Sequence, residues 1–218
     1  KEIVNHYRVV ADGGVGLVIV EATHIDNKES RGAKNMLAVY DDDSYPGLSE
    51  LAECIQDHGA KAALQIYHAG RQTTASNIRG RTPVAPSPIP CKLLSSLMGK
   101  PNVCRELKLE EIEEIVEAFG EAARRVKHCD FNAVEIHGAH GYLPCSFLSP
   151  YTNKRKDIYG GDLEGRARFP LEVVDRVREK VGKHFPLIYR LSGDEYVEGG
   201  LTLKETTKFA KMLENRGV

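Results

Sequence analysis

Residues 132–145 read NAVEIHGAHGYLPC. The first half is a short apolar run ending at Gly138, the length and composition of a strand. At its end stand His137, His140 and Tyr142, three side chains that handle protons or donate hydrogen bonds. The pattern repeats on both sides. Upstream, KAALQIYHAG (61–70) is an apolar run ending in Gln65 and His68, and GLVIVEA (16–22) is a continuous β-branched run that reads as a strand buried on both faces. Downstream, PLIYRLS (186–192) ends in Arg190 and Ser192.

Helical patterns separate these runs. One covers about 2–11. A second, PGLSELAECIQDHG, has Asp41, Asp42, Asp43 and Ser44 as candidate N-caps, Pro46 in its first turn and Gly59 as C-cap. LEEIEEIVEAFGEAARRVKHC places Ile112, Ile115, Val116, Phe119, Ala122, Ala123 and Val126 on one face. LEVVDRVREKVG and TLKETTKFAKML complete the set, the last with Thr202 and Glu205 in capping-box spacing. Residues of about 72–106, rich in Pro, Ser and Arg, show no periodicity and read as one long loop. Four strands alternating with five helices imply right-handed βαβ units and a parallel sheet. A doubly wound sheet and a barrel both satisfy that pattern. Polar residues at or just beyond the C-terminal strand ends favour the barrel.

Composition narrows the class. The 218 residues are 41% hydrophobic and 28% charged, with a formal net charge of −1, the balance of a globular domain with no bias toward nucleic acid or an anionic membrane. No apolar run approaches the ~20 residues of a membrane span, and no secretory leader is evident. Five cysteines, none in a C-x-x-C pair, argue against a disulfide framework or zinc knuckle and point to a reducing cytoplasm. The chain opens at Lys1 on a helix already under way and closes on Gly217–Val218, where a strand is due, so both ends read as cut. A single domain over 1–218 is expected.

Chemically, two histidines converging on one point can donate hydrogen bonds to a carbonyl oxygen and polarise it. A neighbouring tyrosine can supply a proton. The same residues also fit structural histidines in a turn, or, with His68 as a third ligand, a metal-dependent hydrolase. Gln65 and Arg190 read equally as solvated strand-end residues. GGVGLV (13–18) is not a phosphate loop, because it precedes a strand instead of joining strand to helix. Cys145 reads as packing and His24 as a surface residue.

EIHGAHGYLPCSFLSPYTNKRKDIYGGDLEGRARFPLEVV (135–174) resembles the signature of the old yellow enzyme family of NADH:flavin oxidoreductases, closest to its bacterial enoate reductase and 2,4-dienoyl-CoA reductase branch. GGVGLVIVEAT, LQIYHAGR, TPVAPSPI and YRLSGDEYVEGG extend the resemblance along the whole chain in the family's order. It implies an α/β (β/α)8 TIM barrel, here a partial barrel without the first strand and the sixth to eighth strands. It implies FMN as cofactor, NAD(P)H as hydride donor and a small-molecule activated alkene as substrate, with no nucleic acid or membrane partner and a homo-oligomer compatible. An iron–sulfur cluster and FAD belong only to regions outside this chain. By resemblance His137 and His140 hold the substrate oxygen, Tyr142 is the proton donor, Gln65 meets the flavin pyrimidine edge, Arg190 lies near flavin N1 and O2, and the Ala22 backbone touches the flavin. No resident metal is implied. The segment departs from the family at Gly165, commonly Asn, which weakens a packing hydrogen bond and not the chemistry. A metal-dependent barrel hydrolase and a non-catalytic partial barrel are the competing readings.

Overall fold

The computed structural model describes residues 2–218. Lys1 lies outside them. The elements run α1 (Glu2–Asp12), β1 (Leu17–His24), α2 (Tyr45–Asp57), β2 (Lys61–Tyr67), β3 (Val84–Ala85), α3 (Lys92–Met98), β4 (Arg105–Glu106), α4 (Leu109–His128), β5 (Ala133–Gly138), α5 (Leu143–Leu148), α6 (Leu163–Val181), β6 (Leu187–Leu191) and α7 (Leu203–Glu214). The main sheet has the order β1-β2-β5-β6, every pair parallel. Strand order separates the two architectures that the pattern leaves open. A doubly wound sheet reverses direction at a switch point. Here spatial order follows chain order without reversal, as in a segment of a singly wound barrel.

Register divides the side chains into two faces. Val18, Val20, Ala62, Leu64, Ile66, Val134, Ile136 and Leu187 point outward and join one core with the buried faces of the helices. In α4 those buried residues include Ile112, Ile115, Val116, Phe119, Ala122, Ala123 and Val126, the face that the periodicity marks. Its first turn carries Glu110 and Glu111 and its last turn Arg125, Lys127 and His128, which suits the helix dipole. The inner face carries Ala63, Gln65 and Tyr67 on β2, Ala133, Glu135 and His137 on β5, and Ile188 and Arg190 on β6. On β1 burial alternates, and Leu17 (44% exposed) and Ile19 (38%) are open. Leu17 and Ile19 lie on the inner face, so within this segment of the barrel β1 is buried on its outward face, where it meets the helix layer.

Local expectations fail where tertiary contacts override them. The 72–106 stretch is ordered: β3 pairs with β4 and α3 lies between them. A second short helix, α5, fills part of the segment after the histidines. Helix α6 starts at Leu163 and runs through Pro170. Asp162 caps it by accepting the Gly165 N–H at 2.9 Å. At Gly165 a Cβ would stand 2.0 Å from the Gly160 carbonyl oxygen, so the loop backbone occupies the space a side chain would need. Thr202 and Glu205 do not form a capping box, because the Glu205 carboxylate accepts from Arg166 Nη2 at 2.5 Å. The loop 149–162 is pinned by two buried arginines. Arg155 donates to the carbonyls of Pro86 (3.2 Å) and Leu107 (2.7 Å) and pairs with Asp157. Arg166 donates to the carbonyls of Leu148 (2.9 Å) and Gly161 (2.7 Å).

Candidate active site

Parallel strands put all their C-terminal ends at one mouth, so residues distant in sequence meet there. His137 ends β5 on the inner face, level with Arg190 on β6. Gln65 lies on the same face two registers lower, level with Glu135. Ala22 reaches Gln65 through a β-bulge. Val20 pairs with Leu64 and Thr23 with Ile66, so Glu21 and Ala22 together oppose Gln65. The Glu21 carboxylate is drawn away from the mouth by the Tyr7 hydroxyl, 3.3 Å from Oε2. Four of the six residues singled out by resemblance thus sit on or beside the inner face, and His140 and Tyr142 join them through the turn after β5.

The histidine pair and the tyrosines form one aromatic cluster. The His137 and His140 rings stand edge to face with centroids 5.1 Å apart, and His137 and Tyr142 do the same at 4.7 Å. Tyr67 presents its ring edge to face against Tyr142 at 4.7 Å and lies 6.1 Å from His137. His137 Nδ1 accepts the Ala139 N–H at 3.3 Å, which leaves the ring proton on Nε2 as a donor. Burial, then the neighbouring His140 and Arg190, holds the His137 imidazole down to about 4. His140, exposed at the mouth but partly desolvated by its neighbours, is also held below its ordinary value by that desolvation and then by Arg190. Both rings are therefore neutral hydrogen-bond donors at neutral pH. Burial, then Cys91, raises the Tyr142 phenol, so Tyr142 keeps its proton.

Three residues absent from the sequence reading complete the site. Glu135, 4% exposed, accepts from Gln65 Nε2 at 2.5 Å. A carboxylate only accepts, so this contact turns the amide nitrogen toward Glu135 and leaves Oε1 and the second N–H for another partner. Tyr67 is fixed by close packing: a Cβ on Gly32 would stand 1.9 Å from its hydroxyl oxygen. Gln72 touches the His140 backbone. The period-2 alternation of β2 and β5 carries a faint signal for Glu135 and Tyr67, since both share the face of Gln65 and His137. Nothing local marks Gln72.

His68 does not join the pair. It is fully buried, its Nδ1 accepts the Gly70 N–H at 3.0 Å, and its Nε2 faces Asp26 Oδ2 at 3.5 Å. Among the described residues no three His, Cys, Asp or Glu side chains converge as metal ligands, so the three-histidine arrangement needed for the hydrolase reading does not form. His24 is a correction to the surface assignment: it is 6% exposed and its Nδ1 lies 2.8 Å from the Asp26 carbonyl. Cys145 is buried, with its thiol pushed up to about 11 by burial and then Glu195, consistent with packing. All five cysteines are free, and no described helix is long and apolar enough to cross a membrane.

Parallel strands in chain order, helices outside and a polar cluster at the C-terminal mouth define a segment of a (β/α)8-barrel enzyme. Residues 1–218 match the model of the NADH:flavin oxidoreductase / NADH oxidase family, and the chain belongs to that family, the old yellow enzymes. It is 47% identical over 218 residues to an NADH oxidase of Thermoanaerobacter brockii, covering 100% of this chain and 33% of that protein. Among solved structures it is similar to a 2-naphthoyl-CoA reductase in complex with 2-naphthoyl-CoA, with TM-score 0.89 and 34% identity over 98% of this chain and 33% of that one. It is also similar to morphinone reductase in complex with tetrahydroNAD, with TM-score 0.88 and 32% identity over 100% of this chain and 62% of that one. The chain thus spans about a third of the length of the first curated relatives it matches.

Proposed function

We propose that this chain forms the substrate half of an FMN-dependent ene-reductase site, which reduces an alkene conjugated to a carbonyl, carboxylate or thioester at the expense of NADH or NADPH. The carrying observation is the convergence of His137, His140 and Tyr142 at 4.7–5.1 Å on the mouth that also holds Gln65 and Arg190. The inner face suits a flavin. The free Oε1 and N–H of Gln65 complement a pyrimidine edge that both donates and accepts, and Arg190 provides a permanent positive charge where reduced flavin is anionic. The Ala22 backbone, held opposite Gln65 by the bulge, would line the same edge. A bound flavin supplies the hydride chemistry between the nicotinamide and the β-carbon of the alkene.

The chain's own groups do the rest. His137 and His140 hold the oxygen of the electron-withdrawing group and stabilise the negative charge that builds on it. Both are neutral, so each donates an N–H without requiring the site to gain a charge. Tyr142 gives its phenolic proton to the α-carbon. The morphinone reductase complex with tetrahydroNAD and the reductase complex with 2-naphthoyl-CoA support a mouth open to a nicotinamide and to an acyl thioester. The test is the visible spectrum of the purified protein, followed by anaerobic turnover of NADH or NADPH with 2-cyclohexenone. Flavin absorbance and a saturated ketone product are expected. A colourless protein with bound zinc would overturn the reading in favour of hydrolysis, and a colourless protein without metal would favour a non-catalytic half barrel.

A further inference from the structure

The second histidine of the pair sits on unusual backbone. His140 has φ 59° and Gly141 follows at φ 75°, while the Tyr142 N–H donates to the Ala139 carbonyl at 3.2 Å. Two central residues with positive φ and a closing hydrogen bond make a tight turn of the kind that favours Asn-Gly; only a few per cent of non-glycine residues adopt that region, and histidine, though enriched there beside Asn and Asp, still carries a steric cost. A histidine at the first central position needs outside help to stay there. It is exposed, so packing alone does not hold it. Two long-range hydrogen bonds do. The His140 N–H donates to Ser192 Oγ at 2.9 Å, and the His140 carbonyl accepts from Gln72 Nε2 at 2.5 Å. Ser192 follows β6 and Gln72 follows β2, the two strands that flank β5 in the sheet. Both polar groups of the His140 peptide frame are therefore gripped, one from each side.

We propose that Gln72 and Ser192 are positioning residues for His140, an inference that rests on the reading of His137 and His140 as the holders of the substrate oxygen. Without the grip the turn relaxes to a commoner geometry, the His140 ring leaves its place 5.1 Å from His137, and the oxygen loses one donor. Neither Ser192 nor Gln72 hydrogen-bonds to Tyr142, and each reaches the pair through the backbone of His140.

The experiment uses the flavin-loaded protein and 4-hydroxybenzaldehyde, a phenol whose anion mimics the enolate oxygen, with binding read from the change in flavin absorbance. Ser192→Ala and Gln72→Glu are each expected to weaken binding about tenfold, the size of one hydrogen bond to a positioned group. Glutamate is nearly isosteric with glutamine but, ionised, cannot donate to the carbonyl. Ser192→Thr, which keeps the hydroxyl, is expected to retain affinity. In a His140→Ala background neither substitution should weaken binding further. If His140→Ala weakens binding while Ser192→Ala and Gln72→Glu leave it at the parent value, the positioning role is wrong and the reading of the pair stands. Equal losses in the presence and absence of the His140 ring would also overturn it, since a general structural role acts on both. If His140→Ala itself has no effect, the reading of the pair fails. Flavin content and melting temperature identify a variant that has not folded, and Gln72→Glu alone carries the test if Ser192→Ala is that variant.

Discussion

Gly32→Ala is a remote change with a calculable effect on the site. Gly32 lies in the loop after β1, against the hydroxyl end of Tyr67. An added Cβ would stand 1.9 Å from Tyr67 Oη, 3.1 Å from Cζ and 3.7 Å from the Ala69 Cβ. Ordinary contact begins at 3.4 Å, so the hydroxyl must retreat by about 1.5 Å. Tyr67 is 2% exposed and its ring lies 4.7 Å from Tyr142 and 6.1 Å from His137, so the retreat pushes on Tyr142 and His137. Overpacking of this kind costs about 1–3 kcal/mol. For a domain of this size that lowers the melting temperature by roughly 2–12 °C. Tyr67→Phe removes the clashing oxygen and leaves the 3.1 Å contact, which a shift of a few tenths of an ångström relieves. The double variant Gly32→Ala/Tyr67→Phe is therefore expected to regain most of the lost stability. Thermal unfolding of the four proteins, followed by circular dichroism, measures both effects. A single variant as stable as the parent, or a double variant no better than Gly32→Ala, would refute the packing argument.

Three further outcomes follow from the geometry. Tyr142→Phe should slow alkene reduction by roughly 10²–10⁴-fold and affect the nicotinamide half-reaction far less; rapid-mixing kinetics resolve the two, and equal slowing of both would contradict the proton-donor role. His137 should titrate at about 4 by NMR, below an ordinary histidine at about 6.5, and Arg190→Gln should raise its midpoint. Between those values the unfolded chain binds a proton that the folded one refuses, so His137 contributes stability above pH ~6.5 that is lost as the pH falls toward ~4; a midpoint at the ordinary value would remove the argument. Arg155→Met should destabilise by about 3 kcal/mol, because the Pro86 and Leu107 carbonyls lose a charged donor in the interior and Asp157 loses its partner; an unchanged urea midpoint would show that the loop 149–162 does not depend on it.

The sheet and its chemistry were legible in the sequence for one reason: period-2 and period-3.6 patterns record which face of an element is buried, and a parallel sheet gathers its C-terminal ends at one mouth. That is why Gln65, His137 and Arg190 could be named together from three separate segments. Their mutual resemblance to one family then supplied roles that no pattern contains. The sequence also showed the long helix α4 by its apolar face, since that face is fixed by burial along a single element.

Tertiary structure alone decided whatever depends on contacts between distant segments. Glu205 reads as half of a capping box, yet Arg166, 39 residues away, takes its carboxylate. The stretch 72–106 reads as a loop, yet β3 and β4 find each other across it. His68 looks like a companion of His137 and His140, yet its ring turns to Gly70 and Asp26 inside the core. Gln72 has no sequence mark, because its task is a hydrogen bond to a backbone carbonyl 68 residues on, and a carbonyl is the same in every residue. Local propensity and periodicity report what a side chain does within its own element. The partner of a polar side chain in a packed interior is set by which strands the fold makes neighbours, and that information exists only once the chain has closed on itself.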